Sequence, residues 1–149
     1  MDNREIAAVD EAAVKEAFET ALRTYRPDFE TFFLARLFGL EIAYGPESCV
    51  VDVPVRDFLY NPQGSVHGGV MAFALDVSMG HWIKHSTGRA GVTLEMKIQY
   101  LRPATAGRVR CEGRYLKRGR QVSYLESRAT AGDGKLLAVS TATWQHLPA

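Results

Sequence analysis

The sequence predicts an α+β fold in which a curved antiparallel sheet wraps one long buried helix. Three observations carry that expectation. Residues 66–84 place apolar side chains on nearly every face of a helical projection, with no proline and few β-branched residues, the pattern of a helix enclosed on all sides. Six other segments alternate with a period of two and are separated by turn chemistry, as half-buried antiparallel strands do. The strands are grouped around the helix rather than alternating with helices, which argues against a parallel sheet.

The N-terminal part reads as helical. Between residues 3 and 25, Ile6, Val9, Ala13, Val14, Ala17, Phe18, Ala21, Leu22 and Tyr25 fall close to i, i+3, i+4 spacing and so share one helix face; Pro27 ends the run. A second, short helix is expected over 29–38, rich in Phe and Leu and closed by Gly39. Both are expected to cover a larger element. From Leu40 the period becomes two: 40–44 and 49–55 flank the turn Gly45-Pro46-Glu47-Ser48 and read as a hairpin. Residues 57–65 lose periodicity and lead into the long helix. Strands follow over 91–101, where Val92, Leu94, Met96, Ile98 and Tyr100 alternate, then over 107–116, 121–131 and 136–145. Turns at 117–120 and 132–134 divide the last three.

With 149 residues and 46% apolar content, the chain suits one core rather than two. Eighteen Lys and Arg against seventeen Asp and Glu leave a formal charge of +1, which gives no global case for nucleic acid or a membrane surface as partner. Charge is nevertheless uneven. Residues 84–120 carry ten bases and two acids, whereas residues 1–31 carry eight acids and four bases. Either solvated strand faces or a docking surface for a phosphorylated small molecule would account for the basic third. Cys49 and Cys111 stand alone without metal-ligand spacing, so neither a disulfide framework nor a metal site is expected. His81 and His85, four apart, lack further ligands. No segment reads as a secretory leader or a bilayer span, and a cytoplasmic protein is expected.

Asp76 is the anomaly of the long helix, because a carboxylate among Phe73, Ala74, Leu75, Val77 and Met79 is costly unless paired, solvated or neutralised. It is either hydrogen-bonded to a facing strand or an acid opening on a cleft. At the helix start, Gly68 and Gly69 put two poor helix formers where backbone N–H groups have no intrahelical partner and the macrodipole is positive. Either tight backbone packing or the close approach of a ligand would call for them; a carbonyl oxygen resting there would be polarised as in an oxyanion hole.

The run from Asn61 through Val66-His67-Gly68-Gly69-Val70 to Asp76, followed by Gly91 to Pro103, resembles the hotdog-fold acyl-CoA thioesterases of the PaaI-like family, in order and spacing over about residues 40–144. The resemblance implies a hotdog fold, with residues 1–38 as a helical extension and 39–149 as the hotdog domain. It implies a site formed by a loop Asn or Gln, His-Gly-Gly at the helix start and an acid nine residues after the His. Here these are Asn61, His67, Gly68, Gly69 and Asp76, with Thr93 as the hydroxyl residue of a later strand.

Gly68 and Asp76 are eight residues apart on one helix, about 12 Å along its axis, so both cannot reach one thioester carbon. A two-fold dimer in which one subunit's helix start meets the other's acid removes the conflict. It agrees with the edge-to-edge pairing of hotdog subunits that the resemblance implies; a dimer of dimers is the expected assembly. The expected reaction is hydrolysis of acyl-CoA to a carboxylate and CoA without a further cofactor. Gly68, with Gly69, would hold the thioester oxygen. Asp76 would act as general base or as nucleophile. Asn61 and Thr93 would orient water or thioester, and His67 would fix the loop. Gln63, Phe73, Arg102, Lys117, Arg118 and Arg120 are expected at the substrate, the last four toward the CoA phosphates, with Phe58, Tyr60, Phe73 and Met79 lining an acyl groove. The rival readings are a non-catalytic acyl-CoA-binding module and a hotdog hydratase or dehydratase.

Overall fold

A computed structural model describes residues 6–149. Helix α1 runs over Glu11–Thr24, beginning later than the apolar spacing suggests. Asp10 is the reason: its carboxylate accepts from the Ala13 N–H at 3.1 Å and caps the helix, while its own N–H donates to Asp57 Oδ2 at 2.8 Å. Residues 6–10 are consequently outside the helix, and residues 3–5 of the expected helix lie outside the described residues. Helix α2, Phe33–Phe38, is also shorter than expected. The Asp28 carboxylate accepts from the N–H groups of Glu30 and Thr31 and from the Thr31 hydroxyl, which holds the preceding residues in a turn. Gly39 ends α2 in the left-handed conformation, φ 70°.

Strands β1 (Glu41–Tyr44) and β2 (Cys49–Pro54) form the expected hairpin. The long helix α3 spans Gly68–Thr87, and β3 (Gly91–Tyr100), β4 (Arg108–Lys117), β5 (Val122–Ala131) and β6 (Leu136–His146) follow. All six strands make one antiparallel sheet in the order β1-β2-β4-β5-β6-β3. It curls around α3, whose Leu75, Met79 and Ile83 are wholly buried among Val51, Cys111, Leu125 and Ala138.

The helix crosses the sheet at very short range. A Cβ added to Gly113 on β4 would fall 2.5 Å from the Ser78 carbonyl oxygen, so only glycine fits. Ser78 is itself fully buried, and its hydroxyl is satisfied by Leu75 O and the Ser127 hydroxyl, each at 2.7 Å.

Strand β3 departs from the expected alternation. Its pairing with β6 shifts between Thr93 and Glu95, which leaves Leu94 as an extra residue. Such a bulge reverses which parity faces inward. Gly91 and Thr93 face α3 before it, and Met96 and Ile98 pack on the core after it. Val92 and Leu94, expected on the same face as Met96, are instead exposed at 41% and 55%. As the last strand of the order, β3 also has one free edge.

Candidate active site

The start of α3 is built by the loop before it. Asn61 Oδ1 accepts from the N–H groups of Gln63 and Ser65, and its Nδ2 donates to Ser65 Oγ, so this side chain braces its own turn and keeps a second Nδ2 N–H. Gln63 stands exposed at the turn's tip. The His67 N–H then donates to Leu59 O at 2.8 Å, and the ring turns back to accept the Gly69 N–H on Nδ1 at 2.8 Å. His67 is therefore the N-cap of α3. The Gly69 amide, expected at the substrate, donates here to the imidazole.

Gly68 is different. Its N–H has no acceptor among the described residues, and as the first residue of a 20-residue helix it sits at the positive end of the macrodipole. Its carbonyl accepts from the Tyr100 hydroxyl at 2.6 Å. An added Cβ would lie 3.3 Å from the Tyr100 ring, so the missing side chain is what lets Tyr100 close over the helix tip. Together with Asn61, Ser65, Arg102 and Pro103 these two residues line a cleft of about 310 Å³. Tyr100 was not among the sequence candidates. It is the last inward residue of β3, but no spacing in the sequence links it to residue 68.

Asp76 is half-buried on the side of α3 that faces β3, and Thr93 donates its hydroxyl to Oδ1 at 2.6 Å. The bulge at Leu94 is what lets Thr93 face the helix. Burial raises the Asp76 carboxyl above the ordinary carboxylate range, while the Thr93 hydroxyl and the His81 side chain pull it partly back. Asp76 is not among the residues lining the Gly68 cleft.

The expected acyl groove is not formed within the chain. Phe73 is covered by α2, with ring contacts to Phe38 at 5.3 Å and Phe32 at 6.2 Å; Met79 is fully buried; and the Tyr60 hydroxyl donates to Thr105 O. Phe58 instead lines an apolar groove of about 540 Å³ with Val9, Val14, Phe18, Leu37 and Phe38. The segment around α2 folds back onto α3, the cover expected of it, but at the place expected for the groove. His81 and His85 point apart: His81 is buried with its Nε2 hydrogen-bonded to Phe29 O, and His85 stacks on Tyr44 at 4.1 Å.

The basic third also divides. Arg108, Arg110 and Arg114 pair with Glu41, Asp52, Glu112 and Glu126, as structural surface charges do. Arg102 lies at the Gly68 cleft, with Nη1 on Leu136 O. Lys117, Arg118 and Arg120 lie around the β4–β5 turn, where Arg118 reaches Ser86 O at 3.4 Å. Ser86 is eighteen residues beyond Gly68 on α3, about 27 Å along the axis. One chain thus separates these basic residues from the helix start.

Residues 63–138 match the family model described as thioesterase superfamily. The chain belongs to the thioesterase superfamily. It has the hotdog fold, and the structure of the BH2602 protein from Bacillus halodurans with CoA superimposes with a TM-score of 0.85 at 25% identity, covering 96% of this chain and 97% of that one. A conserved Pseudomonas aeruginosa protein, PA5202, is 34% identical with a TM-score of 0.74, covering 81% and 98%. The proofreading thioesterase EntH of Klebsiella pneumoniae subsp. pneumoniae is 35% identical over 72 residues, 47% of this chain and 53% of that protein. Among the described residues, no helix is long and apolar enough to cross a membrane.

Proposed function

We propose that this superfamily member hydrolyses acyl-CoA thioesters in a site shared by two copies of the chain. One observation carries the reading: the two halves of the chemistry sit at opposite ends of the same free strand edge. Tyr100, at the end of β3, touches Gly68; Thr93, near its start, holds Asp76. Antiparallel pairing of β3 with a second β3 about a two-fold axis would lay the end of one strand beside the start of the other. Gly68 of one subunit would then face Asp76 of its partner, which no arrangement within one chain can achieve. A ten-residue edge strand left unpaired would also be an open template for association. The BH2602 structure with CoA supports CoA as the carrier, and a dimer of dimers is the assembly proposed on the family resemblance.

In this site the thioester oxygen accepts the Gly68 N–H, and the negative charge that develops there as the carbonyl carbon is attacked is stabilised by that amide and the α3 dipole. The partner's Asp76 drives the attack, by taking a proton from water or by adding to the carbon itself. Its oxygen not bonded to Thr93 is free for either role. Collapse expels the CoA thiolate, a leaving group whose conjugate acid has a pKa near 8.5, so little protonation is needed. Arg102 of one subunit and Lys117, Arg118 and Arg120 of the other would flank the thioester's phosphates. Phe29, Phe32 and Phe38 of the N-terminal extension cover α3 at His81 and Phe73.

Thiol release measured against a panel of aliphatic and aromatic acyl-CoAs tests the function: turnover of at least one is expected. Binding without thiol release would instead support a non-catalytic module, and hydration of an enoyl-CoA would support a hydratase. A single turnover in ¹⁸O-water can reveal the nucleophilic role of Asp76: label in Asp76 shows a mixed anhydride opened at the Asp76 carbonyl, whereas trapping of an acyl group on Asp76 by hydroxylamine distinguishes an anhydride opened at the acyl carbonyl from general-base hydrolysis.

A further inference from the structure

Two peptide planes meet at the Gly68 Cα, and four polar groups set their orientation: the His67 carbonyl and Gly68 N–H on one side, the Gly68 carbonyl and Gly69 N–H on the other. Three of the four are held. The His67 carbonyl accepts from the Val70 and Met71 N–H groups, at 2.9 and 3.1 Å, in the first turn of α3. The Gly69 N–H donates to His67 Nδ1 at 2.8 Å, and the Gly68 carbonyl accepts from the Tyr100 hydroxyl at 2.6 Å. The fourth, the Gly68 N–H, is the amide assigned above to the thioester oxygen.

The two successive glycines at the helix start follow from two of these bonds. A Cβ on Gly69 would fall 3.1 Å from His67 Nδ1, and a Cβ on Gly68 would fall 3.3 Å from the Tyr100 ring and hydroxyl. Paired glycines would otherwise leave the helix tip free to move, so the residues that loosen the backbone stand where two side chains grip it. Helix formation does not account for the phenol, because a carbonyl in the first turn is ordinarily satisfied by the N–H four residues on. Nor does the need to satisfy a buried hydroxyl, since Tyr100 is 53% exposed and the bond itself is exposed. The backbone beyond Tyr100 is anchored. The Leu101 and Arg102 N–H groups both donate to Leu137 O, at 2.8 and 3.1 Å, so the phenol stands on a fixed strand end.

We propose that Tyr100 is a positioning residue for the thioester reaction: by gripping the Gly68 carbonyl it stops the peptide plane from turning about the glycine and aims the Gly68 N–H into the cleft before substrate arrives. An oxyanion donor is effective to the extent that it needs no reorganisation as charge develops, and a glycine amide meets that condition only when its neighbours are fixed. The phenol acts through the backbone and exchanges no proton. Strand β3 then carries both supports of the chemistry, Thr93 on the acid near its start and Tyr100 on the amide at its end. With two such strands paired, Tyr100 of one subunit and the partner's Thr93 serve the same site. The grip on Gly68 stands on the hydrogen bonds alone; its bearing on turnover rests on the function proposed above.

Backbone ¹⁵N relaxation of the full chain reads the grip without any substrate. The Gly68 N–H is expected to have an order parameter of about 0.85 in the wild type and to fall toward ~0.6 in Tyr100→Phe, which keeps the ring and loses only the hydroxyl, while Val70 and Met71 stay unchanged. A Gly68 order parameter equal in the two proteins overturns the proposal. For turnover, Tyr100→Phe is expected to lower kcat about tenfold, short of the ~10²-fold or more of a lost oxyanion donor, with KM within about twofold of wild type. A raised KM at unchanged kcat marks uniform binding and overturns the role in the reaction, as does an unchanged kcat beside a loosened Gly68. Failure of the wild type to hydrolyse any thioester sinks the proposed function and leaves the relaxation measurement to decide the grip.

Discussion

Asp76 and Thr93 concentrate the chemistry in one hydrogen bond, and each tests it differently. Asp76→Ala is expected to lower turnover by ~10²-fold or more, the scale of a lost general base, with the far-ultraviolet circular dichroism unchanged. Thr93→Val removes the donor that favours the carboxylate, so the carboxyl rises further, and the acidic limb of the kcat/KM profile is expected to move toward higher pH. Stability follows the same sign. A carboxyl whose folded pKa is raised above its unfolded value is best tolerated protonated, and the folded state loses stability as pH rises through the folded pKa. Asp76→Asn is therefore expected to unfold at higher urea than wild type at pH 7, with the difference closing as pH falls below the carboxylate range. The anomaly of an acid on a core helix was legible in the sequence. That Asn61 braces its own loop, and that His67 accepts the Gly69 N–H, was not, because both depend on rotamers rather than on spacing.

Elements were legible wherever one period ran unbroken. Helix α3 and strands β2, β4, β5 and β6 fall within a few residues of their expected limits, since long apolar runs and glycine-marked turns leave few alternatives. The alternation on β3 misled because one extra residue, Leu94, reverses its faces, and nothing in the sequence marks that bulge. The same bulge turns Thr93 toward Asp76, so the irregularity positions the site. Close packing of α3 on β4 makes a further test: Gly113→Ala drives a Cβ against the Ser78 backbone and is expected to cost about 1–3 kcal/mol of stability, read as a lower urea midpoint. The helical extension, expected as simple cover, also fills with Phe32 and Phe38 the place expected for an acyl groove.

At the scale of the whole molecule, the central claim is that neither chain holds a complete site. The 12 Å offset between Gly68 and Asp76 was readable from helix geometry; the free β3 edge that joins the two ends was not, because strand order is a property of the folded sheet. Gly68→Pro removes the N–H at the first helical position, where proline is tolerated and the His67 backbone, at φ −57° and ψ 136°, already suits a following proline. Gly68→Pro and Asp76→Ala are each expected to be nearly inactive alone. Unfolded together in equal amounts and refolded, random pairing makes half the dimers mixed, and each mixed dimer holds one site free of both lesions. Recovery of about a quarter of the wild-type thioesterase activity is expected if amide and acid come from different subunits; no recovery in the refolded mixture, with mixed dimers shown to form, would contradict it.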